Sequence, residues 1–341
     1  MRDYVCVRVR NMKGVDVHTY DFDFDLTFAA LLMHADGTIH RTYAGRDHSG
    51  SESHLSAASL QRALEDTRAD HAAYVKDPRP PTPRAPQRVD RMPWMKARPK
   101  QPECYHCHNV NDARHGARRD AGTFRRTDAW LWPDPIQVGL SLERDAQERV
   151  TKVATGSAAA RAGLAPGDLL VSLAGRRVRT FGDVQRVLDD ADAQATEVPV
   201  TWTRAGKPMA ATLQLAAAWK TPTPLVFAWR PSKWQMKPQP GFGGRPLDAQ
   251  QKQALGIDPA TFAFRIGYLV TWGENAATGR NARKAGLRKG DVILSLAGKN
   301  DFRSMDHYHA WFRFTRKPGS RVPVVRLRDG KRTTVELPVL E

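Results

Sequence analysis

The sequence predicts an α+β chain built from small units, and three observations carry that prediction. A block of fourteen residues, Ala162 to Gly175, returns about 123 positions later with its glycines and apolar positions preserved. Short strand-like runs alternate with helical patterns and are separated by glycine-containing turns. A proline-rich, basic stretch divides the chain before the repeat begins. With 341 residues and 41% hydrophobic content, two or three domains of about 100–150 residues are expected, each with its own small core. The expected boundaries are 1–75, 76–130, 131–220 and 221–341.

Residues 1–75 read as one compact α/β unit. Tyr4–Arg10 alternates, with Tyr4, Cys6 and Arg8 on one face and Val5, Val7 and Val9 on the other, which predicts a strand. Cys6 inside it is expected as a small buried hydrophobe. Leu26–Met33 is a second apolar run. Asp36-Gly37 supplies a hairpin turn into Thr38–Tyr43. Leu55–Tyr74, with Leu60, Ala63 and Leu64 on one face, predicts an amphipathic helix capped by Ser53 or Ser56. The order strand, hairpin, helix, carried by Leu32-Met33-His34-Ala35-Asp36-Gly37-Thr38-Ile39 and Tyr43-Ala44-Gly45-Arg46, resembles the second half of a thioredoxin-like fold. That resemblance implies a partial thioredoxin-like unit lacking its first elements, because the family's working dithiol would lie upstream.

Residues 76–130 are expected as a solvated linker. Pro78-Arg79-Pro80-Pro81-Thr82-Pro83 is extended in character, and Arg79–Arg126 holds 12 Lys/Arg against 4 Asp/Glu. The net charge of +17 suits anionic partners. It is spread along the chain without a helix-turn-helix or aromatic-interleaved RNA motif, so specific nucleic-acid recognition is not expected. No run of about 18 apolar residues predicts a transmembrane segment, and Met1–Tyr4 carries no signal-peptide pattern. The acidic run Asp16, Asp21, Asp23 and Asp25 is interleaved with aromatics and lacks the glycine and distal glutamate of a calcium loop. No nucleophile-elbow or metalloprotease pattern occurs, and the chain reads as no enzyme in its own right.

The repeat pairs Ala162-Gly163-Leu164-Ala-Pro-Gly167-Asp168 with Ala285-Gly286-Leu287-Arg-Lys-Gly290-Asp291. Ala-Gly-Leu ends a short helix, with the glycine free to take positive φ. Gly-Asp then turns into an apolar strand. Helix candidates follow at Phe181–Leu188 and Tyr308–Phe314. Hairpins follow at Val198–Arg204 with Met209–Leu215, and at Val322–Leu327 with Thr333–Leu337. This signature resembles the PDZ domains of bacterial periplasmic proteases, which implies two small β-barrels with helices. The family binds an extended C-terminal peptide by strand addition, its carboxylate held by main-chain N–H groups of a glycine loop. In the first copy the resemblance places that loop at Val138, Gly139, Leu140, Ser141 and Leu142, with Val184 and Leu188 contacting the peptide from the helix. In the second copy Phe264–Leu269 is the nearest stretch, and that module is left as either binding or structural. No serine protease domain is expected from residues 1–130, so the protease reading is set aside.

Glu103-Cys104-Tyr105-His106-Cys107-His108 contains Cys-x-x-Cys-His, the spacing of covalent c-type haem attachment. Cys104 and Cys107 would form the thioethers and His108 would ligate the iron from one side. Trp94, Trp130 and Trp132 offer flat surfaces to cover a haem, and Met92, Met95 and His115 are candidate distal ligands. A redox dithiol, a zinc or copper site including His106, and inert cysteines remain open. The whole arrangement resembles predicted thioredoxin/PDZ proteins of bacterial envelopes, through Gly14-Val15-Asp16-Val17, Tyr20–Thr27, Ala35–Ile39 and the Cys104–His108 motif. It implies a periplasmic or envelope location if an export signal lies upstream. Two functions are expected in competition. One is a non-catalytic redox adaptor with haem c and peptide-docking modules; the other is a thiol-disulfide oxidoreductase using Cys104 and Cys107, with the modules selecting clients. A haem-free metal-binding scaffold is the third.

Overall fold

The computed structural model describes residues 3–340. It divides into two compact units, one ending at Pro222 and one beginning at Thr223. Among the described residues, no helix is long and apolar enough to cross a membrane.

The first unit opens with a hairpin. Strands β1 (Ala30–Met33) and β2 (Ile39–Tyr43) pair antiparallel, Leu32 opposite Arg41. Gly37 takes positive φ in the turn, where the Asp36 carboxylate accepts from the Thr38 N–H. Helix α1 (Ala57–Lys76) starts at Ser56, whose hydroxyl accepts from the Ser59 N–H. Its apolar face, with Ala63, packs on Leu32 and Tyr43. The expected strand at Tyr4–Arg10 is not formed. The hairpin strands pair only with each other, so alternation alone has no partner edge to occupy, and Val5 and Val7 stand exposed. Cys6 is exposed too, and not the buried hydrophobe expected.

The stretch expected as linker carries structure. Helix α2 (Pro93–Lys96) and helix α3 (His108–Asp120) bury Val89, Met95, Tyr105, Val110 and Ala113 together with Met12, Val17 and Phe24. Main-chain bonds tie the two sequence regions, Met12 N–H to Tyr105 O at 2.8 Å and Val17 N–H to Gln87 O at 2.8 Å. A Cβ on Gly116 would fall 2.1 Å from the Trp94 ring, so α3 and α2 meet through the absence of a side chain. The prolines govern only the extended piece before this core. The basic residues of this stretch line the outside of a small apolar cluster.

The first repeat copy follows in the same unit. It comprises β3 (Leu140–Leu142), β4 (Val150–Val153), α4 (Ala158–Arg161), β5 (Leu169–Leu173), β6 (Arg176–Arg177), α5 (Phe181–Asp190), β7 (Thr196–Arg204) and β8 (Lys207–Leu215). β3 pairs with β4, and a second sheet has the order β6-β5-β7-β8. The core between them includes Leu140, Leu170, Val184, Leu188, Val200 and Leu213. Asp168 of the Gly-Asp turn is buried. It accepts from the Ala165 N–H and from Arg204 Nε and Nη2, each at 2.8 Å, while Arg204 Nη2 also donates to Gly163 O.

The second unit holds α6 (Pro224–Phe227), β9 (Phe242–Pro246), α7 (Ala249–Ala254), β10 (Phe264–Leu269), α8 (Ala276–Lys284), β11 (Val292–Leu296), α9 (Met305–Thr315), β12 (Arg321–Arg328) and β13 (Lys331–Pro338). One sheet runs β13-β12-β11-β10-β9. From β9 onward, α7 aside, the element order largely repeats that of the first copy. The signature clip recurs: Asp291 accepts from the Arg288 N–H and from Arg328, and Arg328 Nη2 donates to Gly286 O. The Gly-Asp signature therefore has a physical cause. Its carboxylate fastens the turn after the short helix to the arginine at the last hairpin.

Candidate functional site

The loop into β3 is built by a 3-10 turn, Pro135–Val138, capped by the Asp134 carboxylate accepting from the Ile136 N–H. Gly139 ends it at φ 91°, and a Cβ there would meet the Ser157 side chain at 2.0 Å, so glycine is needed on both counts. Ala154 N–H donates to Gly139 O and Glu143 N–H to Arg149 O. Residues 139, 141 and 143 thus turn their main-chain groups to β4. Leu140 and Leu142 turn theirs to the opposite edge, where no strand lies. That edge can accept an added strand.

Helix α5 faces the same region, and here a sequence expectation fails. Val184 and Leu188 are fully buried in the module's own core beside Leu140 and Leu142. Their i, i+4 spacing marks the apolar face correctly, but that face is interior. The helix's other side carries Phe181, Gln185 and Asp189 and is already covered. The His54 ring stacks on Phe181 at 3.9 Å. Gln185 Nε2 donates to Trp132 O, and the Trp132 N–H donates to Asp189 Oδ1 at 2.8 Å. Burial pushes the Asp189 carboxyl up from its ordinary value. Thr42 N–H donates to Asp183 Oδ1, Thr180 Oγ1 donates to Thr42 O, and a Cβ on Gly182 would fall 2.2 Å from that carbonyl.

The cysteine motif sits at the start of α3. Cys104 is exposed and Cys107 is half-buried at the helix N-terminal boundary. Burial pushes the Cys107 thiol up, which opposes the thiolate a redox nucleophile needs. His108 Nδ1 lies 3.1 Å from Asp112 Oδ2 one turn on, and that carboxylate raises the imidazole's pKa. With Nδ1 held, Nε2 is the nitrogen left for a metal, the arrangement a ligating histidine requires. Of the three residues, Cys104 is exposed, while Cys107 and His108 are half-buried. The expected distal ligands do not lie open to a haem there. Met92 and Met95 are buried in the core of this region, and His115 is buried with Nε2 3.1 Å from Asp128 O. Trp94 packs on Gly116 and Trp132 on α5, so both are engaged elsewhere. Among the described residues, the His/Cys/Asp/Glu trio whose ligand atoms lie within 4.8 Å of one another is Asp47, His48 and Asp134, not the cysteine motif.

In the second unit, the counterpart of the Val138–Leu142 loop is not Phe264–Leu269, which forms β10. It is Pro240–Gly244, leading into β9, where Val270 N–H donates to Gly241 O as Ala154 does to Gly139. Pro-Gly-Phe-Gly-Gly was a visible signal. The insertion carrying α7 lengthens the distance to the repeat signature and hid it.

A family model described as PDZ domain matches residues 149–198, the stretch from β4 into β7. Among solved structures, the chain is similar to an HtrA-type protease AlgW with decapeptide, at 17% identity over 42% of this chain and 49% of that chain, TM-score 0.25. A variant of that protease with decapeptide is 15% identical over 56% of this chain and 54% of that chain, TM-score 0.28. The chain thus spans about half the length of each of these structures. No curated protein matches it. Residues 149–198 belong to a PDZ domain.

Proposed function

We propose that this chain is a non-catalytic adaptor whose PDZ domain takes the C-terminal end of a partner peptide as an extra strand on β3. The open β3 edge, presented by Leu140 and Leu142 directly after the Gly139 loop, carries this reading. The peptide's carboxylate would lie at the Gly139 loop beside the Leu140 N–H, with Leu142 continuing the ladder. Main-chain pairing gives affinity, and contact with the covered side of α5 requires Trp132 or His54 to move aside. The test is an array of free-acid peptide C-termini probed with the full chain. Binding should vanish on C-terminal amidation and on Gly139→Val, which would crowd Ser157. An array without any carboxylate-dependent signal sinks the proposal.

The same reading takes residues 221–341 as a second PDZ-type module and the hairpin with α1 as the end of a thioredoxin-like unit. It also takes Cys104, Cys107 and His108 as the attachment site of haem c, favoured by the His108–Asp112 pair. Haem bound there would supply one-electron redox chemistry. Cys104 and Cys107 would tether it, and Asp112 would fix the His108 tautomer. Such attachment belongs to an envelope or periplasmic protein, the location proposed. A pyridine haemochrome spectrum of protein made with cytochrome c maturation should show a c-type band that Cys104→Ala with Cys107→Ala removes. A colourless product beside a working control would remove haem and return the motif to the dithiol or metal readings.

A further inference from the structure

One place in the first unit sets two carboxylates together with no lysine or arginine between them. The turn after β2 carries Asp47 and His48, and Asp134 caps the 3-10 turn Pro135–Val138. One ligand atom from each of the three lies within 4.8 Å of the others. The two aspartates are half-buried and His48 is exposed. The chain holds 53 Lys and Arg against 36 Asp and Glu. Yet among the described residues, neither Asp47 nor Asp134 pairs with a lysine or arginine. Burial pushes the Asp134 carboxyl up, and the charge of Asp47 adds to the push. Two like charges held together at a half-buried site are costly, and a cation bound between them offsets that cost.

A buried histidine supports the pair. His54 is 8% exposed, and its ring stacks on Phe181 at 3.9 Å. Its Nδ1 is buried with no hydrogen-bond partner, while Nε2 lies 3.1 Å from Asp47 Oδ2. The ring proton therefore sits on Nε2 and is donated to that carboxylate. An imidazole aimed in this way at a carboxylate is the outer support that fixes a ligating group. Asp47 Oδ1 accepts from the Ser49 N–H at 2.7 Å and from the Ser49 hydroxyl at 2.6 Å. Against the effect of burial, the bonds from His54 and Ser49 hold the Asp47 carboxyl low and ionised. Asp134 uses Oδ1 for its cap, accepting from the Ile136 N–H at 3.0 Å, which leaves Oδ2 for an ion.

We propose that Asp47, His48 and Asp134 hold a divalent transition-metal ion of the zinc class, with His54 fixing Asp47 from behind. Metal bonds of about 2.0–2.2 Å place ligand atoms about 3–4 Å apart, so rotation of the exposed His48 side chain closes the set around an ion. Two carboxylates and an imidazole suit zinc, whereas calcium and magnesium take oxygen ligands. Three protein ligands leave a fourth position for water. The ion ties the turn after β2 to the turn that leads into β3. The site is distinct from the cysteine motif and from the β3 edge, and it stands whether or not either of those binds a ligand.

The test uses the untagged full chain, stripped with a chelator and titrated calorimetrically with zinc chloride. Cys104→Ala with Cys107→Ala is made first, so that the cysteine motif cannot take the metal. Zinc should bind this parent, and calcium or magnesium should bind it at least about 100-fold more weakly. His48→Ala changes an exposed side chain and should weaken zinc by about 10–100-fold or more, since even an outer-shell partner is worth that much. Asp134→Asn should weaken zinc by a similar factor while keeping an acceptor for the Ile136 N–H, and it serves if His48→Ala fails to fold. Zinc affinity lost in both variants assigns the ion to this trio. No zinc uptake by the double-cysteine parent, an affinity unchanged by His48→Ala and Asp134→Asn, or calcium or magnesium bound as tightly as zinc would each overturn the proposal.

Discussion

Replacing Asp168 by alanine removes the one acceptor that joins three parts of the PDZ domain. The carboxylate is buried and takes three hydrogen bonds at 2.8 Å, two from Arg204 and one from the Ala165 N–H. Bonds to a charged group contribute about 1.5–3 kcal/mol each, but Arg204 is partly exposed and regains water when released, so those two count at a fraction. The expected net loss is about 3 kcal/mol. For a unit of this size each kcal/mol moves the melting temperature by about 2–4 °C, giving a fall of roughly 6–12 °C. Asp168→Asn keeps an acceptor for the Ala165 N–H without the charge, and about half the loss is expected. Differential scanning calorimetry reads both. The sign with pH also follows: the folded Asp168 pKa is lowered, chiefly by the hydrogen bonds from Arg204. Its stabilisation is then fully present above the unfolded value of about 4 and fades as pH falls through the lower folded value. The gap between wild type and Asp168→Asn should hold from pH 7 to about 5 and close only in stronger acid. A fall below about 2 °C for Asp168→Ala, or a gap that closes near neutrality, would refute the clip as described.

Gly116→Ala drives a methyl into the Trp94 ring and should cost about 1–3 kcal/mol; loss of helical circular dichroism together with faster Cys107 labelling would report it, and an unchanged protein would contradict the α2–α3 contact. Gly182→Ala meets the Thr42 carbonyl, main chain that cannot rotate away, so a comparable loss of about 1–3 kcal/mol in urea unfolding is expected. Thiol titration at pH 8 should find Cys6 and Cys104 fast and Cys107 at least about ten-fold slower, as its burial and raised pKa require. Three equal rates would show that Cys107 is not shielded by α3.

The repeat was legible because its glycines and aspartates answer to local geometry: positive φ at Gly163 and Gly286, and one carboxylate per copy that fastens a turn. The hairpin at Asp36-Gly37 and the Ser56 cap were legible for the same reason. What failed was non-local. Val184 and Leu188 lie on an apolar helical face, and nothing in a helical period says whether that face meets a ligand or a core. Tyr4–Arg10 alternates, yet strand pairing needs a partner edge that only the fold reveals. The basic stretch hid α3 because Val110 and Ala113 are few among arginines, and their partners Met12, Val17 and Phe24 stand about ninety residues away.

Helix α5 belongs to two structures at once. One side is the interior of the PDZ domain, and the other is gripped by His54, Thr42 and Trp132, residues that lead back to the hairpin and toward the cysteine-bearing core. A ligand that wedges between β3 and α5 must work against those grips, and the thermodynamic coupling is reciprocal. Whatever free energy the peptide spends loosening Trp132 is the same free energy by which a tightly seated Trp132 weakens the peptide. Should the proposed peptide dock there, hydrogen exchange at Thr42 and Trp132 would report its occupancy.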